Sequence, residues 1–212
     1  MMSGDGVAND TQGLQDAMDF PGNRCHGQYT QPIPCESTTV QPALVYIPPG
    51  TYMVDRPIIM RYNTMVVGDL HNLPTIKATA GFRGVAVLDS NPYYPGDYTW
   101  YQNQNNMWRQ VRNLILDITN CPYSFSGGAI HWQVAQATSL QNIVMNARVG
   151  SCATNKQQVL FMDNGSGGFM RDLVINGGGR GFLMGYVCHE VKEGYTADVR
   201  QQPAIYECKR LD

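Results

Sequence analysis

Three short segments of this 212-residue chain are copies of one pattern. They are Val111-Arg-Asn-Leu-Ile-Leu-Asp117, Leu140-Gln-Asn-Ile-Val-Met-Asn146 and Met170-Arg-Asp-Leu-Val-Ile-Asn176. Each reads apolar, polar, Asn or Asp, three apolar residues, then Asp or Asn. Their starts lie 29 and 30 residues apart. A second apolar run precedes the later two, Ala129–Val134 and Val159–Met162, again offset by 30 residues. Short strands recurring in constant register describe a coil that buries its apolar face only by stacking on its neighbour. The expectation is an all-β fold, a parallel β-helix. A β-sandwich, the ordinary alternative, predicts no such register.

Earlier segments fit the same scheme: 43–47, 51–54, 65–67, 75–77 and 85–88, with Pro48-Pro49-Gly50 as a turn between two of them. In the repeats, Asn142 and Asp172 fall where the coil bends, because short polar side chains bond the local backbone. Residues 163–181 carry seven glycines. A phosphate-binding loop would run from a strand into a helix and would carry a Lys. Here the next segment is a repeat strand, so the glycines read as coil corners. One helix is expected near the start, capped by Asp10 or Thr11, with Leu14, Ala17 and Met18 as its apolar stripe. A solenoid needs a lid over its first coil, and this helix supplies it. The periodicity runs from about residue 4 to 186. From 189 to 212 nine of 24 residues are charged, so 187–212 reads as an atypical tail that either folds over the last coil or is foreign to the fold.

A net charge of −2 gives no electrostatic footprint for nucleic acid. No run of 18 apolar residues is present to cross a membrane. The cysteines form no CxxC pair and the four histidines do not cluster with them, so neither a metal nor any other cofactor is expected. Cys25 and Cys35 flank a Pro- and Gly-containing loop and are expected to form a local disulfide, while Cys121 and Cys152 could bridge neighbouring coils. The opening residues lack a signal-peptide profile, whereas the Tyr-, Asn- and Gln-rich, Lys-poor composition suits an extracellular protein.

Longer motifs carry a resemblance. Gly4-Asp-Gly6 with Asp10-Thr11 and Gln15 resembles the opening of pectate-lyase-like β-helix proteins. The stretches 43–52, 103–106, 130–143 and 161–170 resemble the first half of fungal exo-β-1,3-glucanases of glycoside hydrolase family 55. The resemblance implies a right-handed parallel β-helix, two such helices in tandem, extracellular location and release of glucose from β-1,3-glucan with inversion. It places the catalytic glutamic acid in the second half. The glutamates here are Glu36, Glu190, Glu193 and Glu207, none in a matching motif. The chain is therefore expected to lack the second β-helix and the acid, and to be inactive alone.

The first half is expected to position water and substrate. Gln133, Gln136 and Ser166 are the water-positioning candidates; His131, Asp163, Asn164, Trp100 and Tyr101 are the substrate-binding candidates. In an alternating strand Ile130, Trp132 and Val134 share one face, so His131 and Gln133 are expected to point outward. Aromatic residues of 91–108 either stack on sugar rings or pack over the coils beneath them. Asp163-Asn-Gly-Ser166 also reads as plain turn chemistry. Other readings are a carbohydrate-binding remnant without turnover, a non-catalytic adhesin-like β-helix and a pectin-active lyase or hydrolase. The last would need clustered aspartates, and no Asp-Asp pair occurs.

Overall fold

The computed structural model describes residues 2–20, 42–93, 99–101, 106–151, 153–162, 168–184, 187–189 and 195–199, the last two stretches and Met184 by backbone alone. Each coil contributes a bent leg to one parallel sheet and a short strand to a second. In the bent-leg sheet, β1 (Asp5–Asn9) leads to β2 (Ala43–Ile47) and β3 (Thr51–Val54). These stack on β5 (Thr64–Gly68) and β6 (Thr75–Ala78), then on β8 (Gln110–Asp117), β10 (Ser139–Asn146) and β12 (Phe169–Asn176). The second sheet runs through β4 (Ile58–Ile59), β7 (Ala86–Asp89), β9 (Gly128–His131), β11 (Gln158–Met162) and β13 (Arg180–Met184). The architecture is that of a parallel β-helix.

The repeat is realised in its sequence register. Leu140 pairs with Val111 on one side and Met170 on the other; Asn146 pairs with Asp117 and Asn176. Each αL corner, Asn113 (φ 60°), Asn142 (φ 51°) and Asp172 (φ 54°), breaks the two-residue alternation of the strand. Two neighbouring side chains then point outward, and the strand resumes with its apolar residues inward. Leu140, Ile143 and Met145 are all buried, as are Val111, Leu114 and Leu116 in the coil before. Asn and Asp tolerate this conformation better than other residues with a Cβ. In the second sheet Ile58, Leu88, Ile130, Leu160 and Phe182 occupy one register position and form a single inward row. Rows 4.7–4.9 Å apart, the general strand spacing, let like side chains stack without a cavity.

Two glycines of the 163–181 stretch show why the corners require them. Gly168 (φ 117°) passes so close to the preceding coil that a Cβ would lie 2.5 Å from Thr138 Oγ1. Gly177 (φ 73°) would place a Cβ 2.4 Å from the Ala147 carbonyl oxygen. Both are coil corners, as expected from the sequence.

Helix α1 (Thr11–Asp19) buries Leu14 and Met18 completely, with Ala17 half-buried beside them. Its cap differs from expectation. Asp10 holds the cap position but makes no capping bond; its carboxylate turns back to accept the amides of Ser3 (2.7 Å) and Gly4 (3.2 Å). Asn9 Oδ1 accepts the Thr11 amide instead, at 3.0 Å. The helix also guards a sheet edge. Gln15 Oε1 accepts the Ile59 amide (2.8 Å) and its Nε2 donates to the Ile59 carbonyl (3.2 Å), in place of a neighbouring strand beside β4.

Beyond the repeats, β14 (Val187–His189) and β15 (Tyr195–Val199) reverse direction. β14 pairs antiparallel with β13, and β15 pairs antiparallel with β12. The last described strand of each parallel run thus has an antiparallel partner. Cys121 is a free, buried thiol whose Sγ lies 3.7 Å from the Thr79 carbonyl oxygen, so it does not form the bridge to Cys152 that the sequence left open. Cys152 itself, and the expected pair Cys25 and Cys35, lie outside the described residues.

Candidate functional site

The coils are not equal. From β7 to β8 the chain spends residues 90–109 before it resumes the repeat, whereas β9 to β10 takes only 132–138. Long insertions in a compact fold need their own anchoring, and they often carry function. Its described residues, 90–93, 99–101 and 106–109, lie against the outer face of the second sheet and are fixed by buried polar groups.

One outward register position of that sheet holds Asp89, His131 and Phe161 side by side. Asp89 Oδ1 lies 2.8 Å from His131 Nδ1 and also accepts the Asn91 amide at 2.9 Å. The carboxylate is satisfied most simply by a proton on Nδ1. The imidazole is sandwiched between Phe161 (centroids 4.8 Å apart, rings 15° from parallel) and Tyr93 of the insertion (5.3 Å, 20°). Its Nε2 is buried and has no hydrogen-bond partner.

Asn91 closes the base of the insertion. Its Oδ1 accepts the Tyr101 amide (2.8 Å), and its Nδ2 donates to the Tyr101 carbonyl (3.1 Å) and to Gln133 Oε1 (2.8 Å). Asn106 Nδ2 donates to the carbonyls of Ser90 and Gln133, and its Oδ1 accepts Nε of Arg109. Arg109 is fully buried. Nη1 donates to the carbonyls of Met60 (2.6 Å) and Arg61 (2.7 Å), and the guanidinium carbon lies 4.7 Å from the Tyr101 ring centroid and 5.5 Å from that of Tyr62. Burial pushes its pKa down, while the charge is held by carbonyls, aromatic faces and the field of Asp89. Arg61, next in the chain to a carbonyl that Arg109 holds, bonds Asp19 of α1 at 2.6 Å and lies 5.6 Å from the Trp100 ring centroid.

These contacts revise several expectations. His131 does sit on the face opposite Ile130, but that face is roofed by the insertion, so His131 and Gln133 are fully buried rather than open to solvent. Strand β9 ends at His131, and Trp132 and Val134 continue the buried run as loop. Tyr101 is buried to 1% exposure and packs on Tyr62; Trp100 is half-buried beside Arg61. Gln136 is exposed in the turn before β10. Asp163, Asn164 and Ser166 lie outside the described residues. Asp89, Asn91 and Arg109 escaped the sequence reading. The signal available was the gap of 90–109 in an otherwise regular register.

The cluster is held together by buried hydrogen bonds and ring contacts. Carboxylates with resolved shifts, Asp5, Asp55 and Asp69, are all held below the usual range; hydrogen bonds from backbone amides or polar side chains outweigh burial. A glycosidase acid needs the opposite, a raised pKa. Among the described residues no group of three or more His, Cys, Asp or Glu side chains is placed to hold a metal ion.

Comparison with known proteins agrees with the architecture. Residues 2–205 match the family described as rhamnogalacturonase A/epimerase, pectate lyase-like. A probable glucan endo-1,3-beta-glucosidase of Arthroderma benhamiae is 51% identical over 182 residues, 86% of this chain and 20% of that protein. A non-secreted LysM effector, LysM19, of Penicillium expansum is 45% identical over 86% of this chain and 14% of its own length. A glucan 1,3-beta-glucosidase of Cochliobolus carbonum is 38% identical over 86% of this chain and 22% of its own. The chain thus spans about a fifth or less of these relatives. The stacked coils, the 30-residue register and the match across nearly the whole chain lead to one assignment: this chain belongs to the rhamnogalacturonase A/epimerase family of pectate-lyase-like proteins.

Proposed function

We propose that this chain is the substrate-binding first β-helix of an inverting β-1,3-glucan hydrolase, and that it binds β-1,3-glucan without cleaving it alone. The observation that carries the reading is the 51% identity to a protein named a glucan endo-1,3-beta-glucosidase, with a second relative named a glucan 1,3-beta-glucosidase. Inversion requires a carboxylic acid on the leaving oxygen and a base-activated water on the far side of the sugar, with the carboxyl groups about 6.5–9.5 Å apart. Among the described carboxylates, Asp5, Asp55, Asp69 and the buried Asp89 do not suit acid duty. Asp89 is buried and occupied by His131 and Asn91, and the aspartates with shifted pKa are shifted down.

In this reading the acid comes from a second β-helix, and this half presents polar groups to the water and the sugar. Gln136, exposed before β10, is the glutamine offered to a sugar hydroxyl or to the attacking water. Gln133 and His131 act behind it, bonding Asn91 and stacking on Tyr93 of the insertion. Ser166, Asp163 and Asn164, which lie in sequence between β11 and β12, are the further residues assigned to the water site in this reading. Exo-acting release of glucose and extracellular location are part of the proposal; relatives bear both endo and non-secreted names. Calorimetric titration with laminarin and, in parallel, polygalacturonate tests it: laminarin binding alone supports the reading, and polygalacturonate binding alone contradicts it.

A second reading is a glycan-binding module without a catalytic partner. It is favoured by the same segment recurring, at 44–45% identity, in two proteins named LysM effectors rather than hydrolases.

A further inference from the structure

The described non-glycine residues with positive φ are Asn63, Trp108, Asn113, Ala137, Asn142 and Asp172. Four are Asn or Asp, the types that tolerate this conformation, and one is the small Ala137. Trp108 (φ 62°) is the bulky exception. For a side chain of that size a left-handed backbone is an outlier that the surroundings must enforce. A buried indole could repay the strain through packing. Trp108 does so poorly, because it is 41% exposed.

Its surroundings are built firmly. The Trp108 amide donates to the Gln136 carbonyl (3.3 Å), the Ser139 amide to Arg109 (3.0 Å), and the Phe169 amide to Thr138 (3.1 Å). Backbone bonds therefore link the chain entering β8, β10 and β12 from coil to coil. Arg109, the next residue, is anchored in the buried cluster, so the indole stands on a fixed base. Beside it lie exposed Gln136 and Ala137, the latter also left-handed (φ 58°). Two coils on from Gln110, in the same register, is Phe169, 47% exposed. Two strand spacings amount to roughly 10 Å.

We propose that Trp108 is a sugar-stacking platform, the aromatic floor of a glycan subsite that continues over Ala137 towards Phe169, with Gln136 bonding the sugar hydroxyls. The C–H face of a pyranose carries partial positive charge and meets the negative face of the indole. Small Ala137 leaves the ring accessible. Neither Gln136 nor Ala137 is charged, which suits a neutral β-linked glucose polymer over a polyuronate. The choice of glucan rests on the function proposed above; the platform itself rests on the geometry of Trp108.

The test compares the full chain with W108G and W108A by calorimetric titration against laminarin, polygalacturonate and chitohexaose, with a thermal melt of each protein. The platform predicts at least tenfold weaker laminarin binding for both variants. W108G, which relieves the positive φ, is predicted to melt no lower than the parent. Variants that bind as the parent does, a W108G melt several degrees lower, or a parent that binds none of the three glycans would each overturn it. Trp108-dependent binding of polygalacturonate or chitohexaose in place of laminarin would uphold the platform and refute the glucan assignment.

Discussion

Asn142 donates its side-chain amide to Asn113 Oδ1 at 3.0 Å, across two successive coils, with both residues left-handed. Asn113 continues the contact to the coil before, through Nδ2 to the Gly68 carbonyl at 3.3 Å. The corner that lets each strand bury apolar residues on both sides of its bend is thus tied to its neighbour. An Asn142→Ala variant loses the bond and places Ala in a left-handed corner. It is expected to cost about 1–2 kcal/mol, read as a shift in the urea midpoint. Asn142→Gly, which removes the bond but not the conformational freedom, is expected to cost less.

Asp172 occupies the equivalent corner of the next coil but pairs with its neighbour Arg171 at 3.2 Å, both side chains exposed. An exposed pair of this kind contributes little. Asp172→Asn offers an amide to the Asn142 oxygen and should extend the row. A gain between zero and about 1 kcal/mol is expected in chemical denaturation.

Arg109 joins the insertion to the carbonyls of Met60 and Arg61 and to Asn106. Truncation strands those acceptors and opens a cavity over the packed rings of Tyr62 and Tyr101. Arg109→Ala is expected to destabilise by about 3 kcal/mol or more, a drop of several degrees in Tm for a chain this size. Limited proteolysis should then cut first within 90–109. Arg109→Lys, which keeps charge without the planar fork, is expected to recover only part of the loss.

Burial pushes the Cys121 thiol up to about 11. Its ordinary value is 9.0, so between those limits the folded form retains a proton that the unfolded chain gives up. The sign follows: this contribution is fully present below pH 9 and is lost as pH rises towards 11. The native thiol is expected to resist iodoacetamide at pH 8 and to react once urea unfolds the chain.

Much of the fold was legible because a solenoid writes its register into the sequence. Val111, Leu140 and Met170 align in the text and pair in space. The inward row of the second sheet was visible in part, through Ile130 and Leu160. The insertion was not legible, since its bonds join residues such as Asn91 and Gln133 that no local period relates. Alternation alone placed His131 on the outer face, correctly as to direction, but could not foresee Tyr93 lying over it. The cap of α1 failed for a similar reason. Asp10 had a stronger use in holding the Ser3 and Gly4 amides. Two-residue β4 is too short to leave any pattern, although Gln15 recognises its backbone.

The central functional claim is that this chain holds β-1,3-glucan but does not cleave it. The direct measurement is glucose release by the purified 212-residue chain from laminarin, followed by a coupled enzymatic assay beside a binding titration of the same preparation. Saturable binding with no glucose above the enzyme-free blank is the predicted result. Glucose accumulating in proportion to protein concentration would contradict it, and would mean that a catalytic acid lies within this chain.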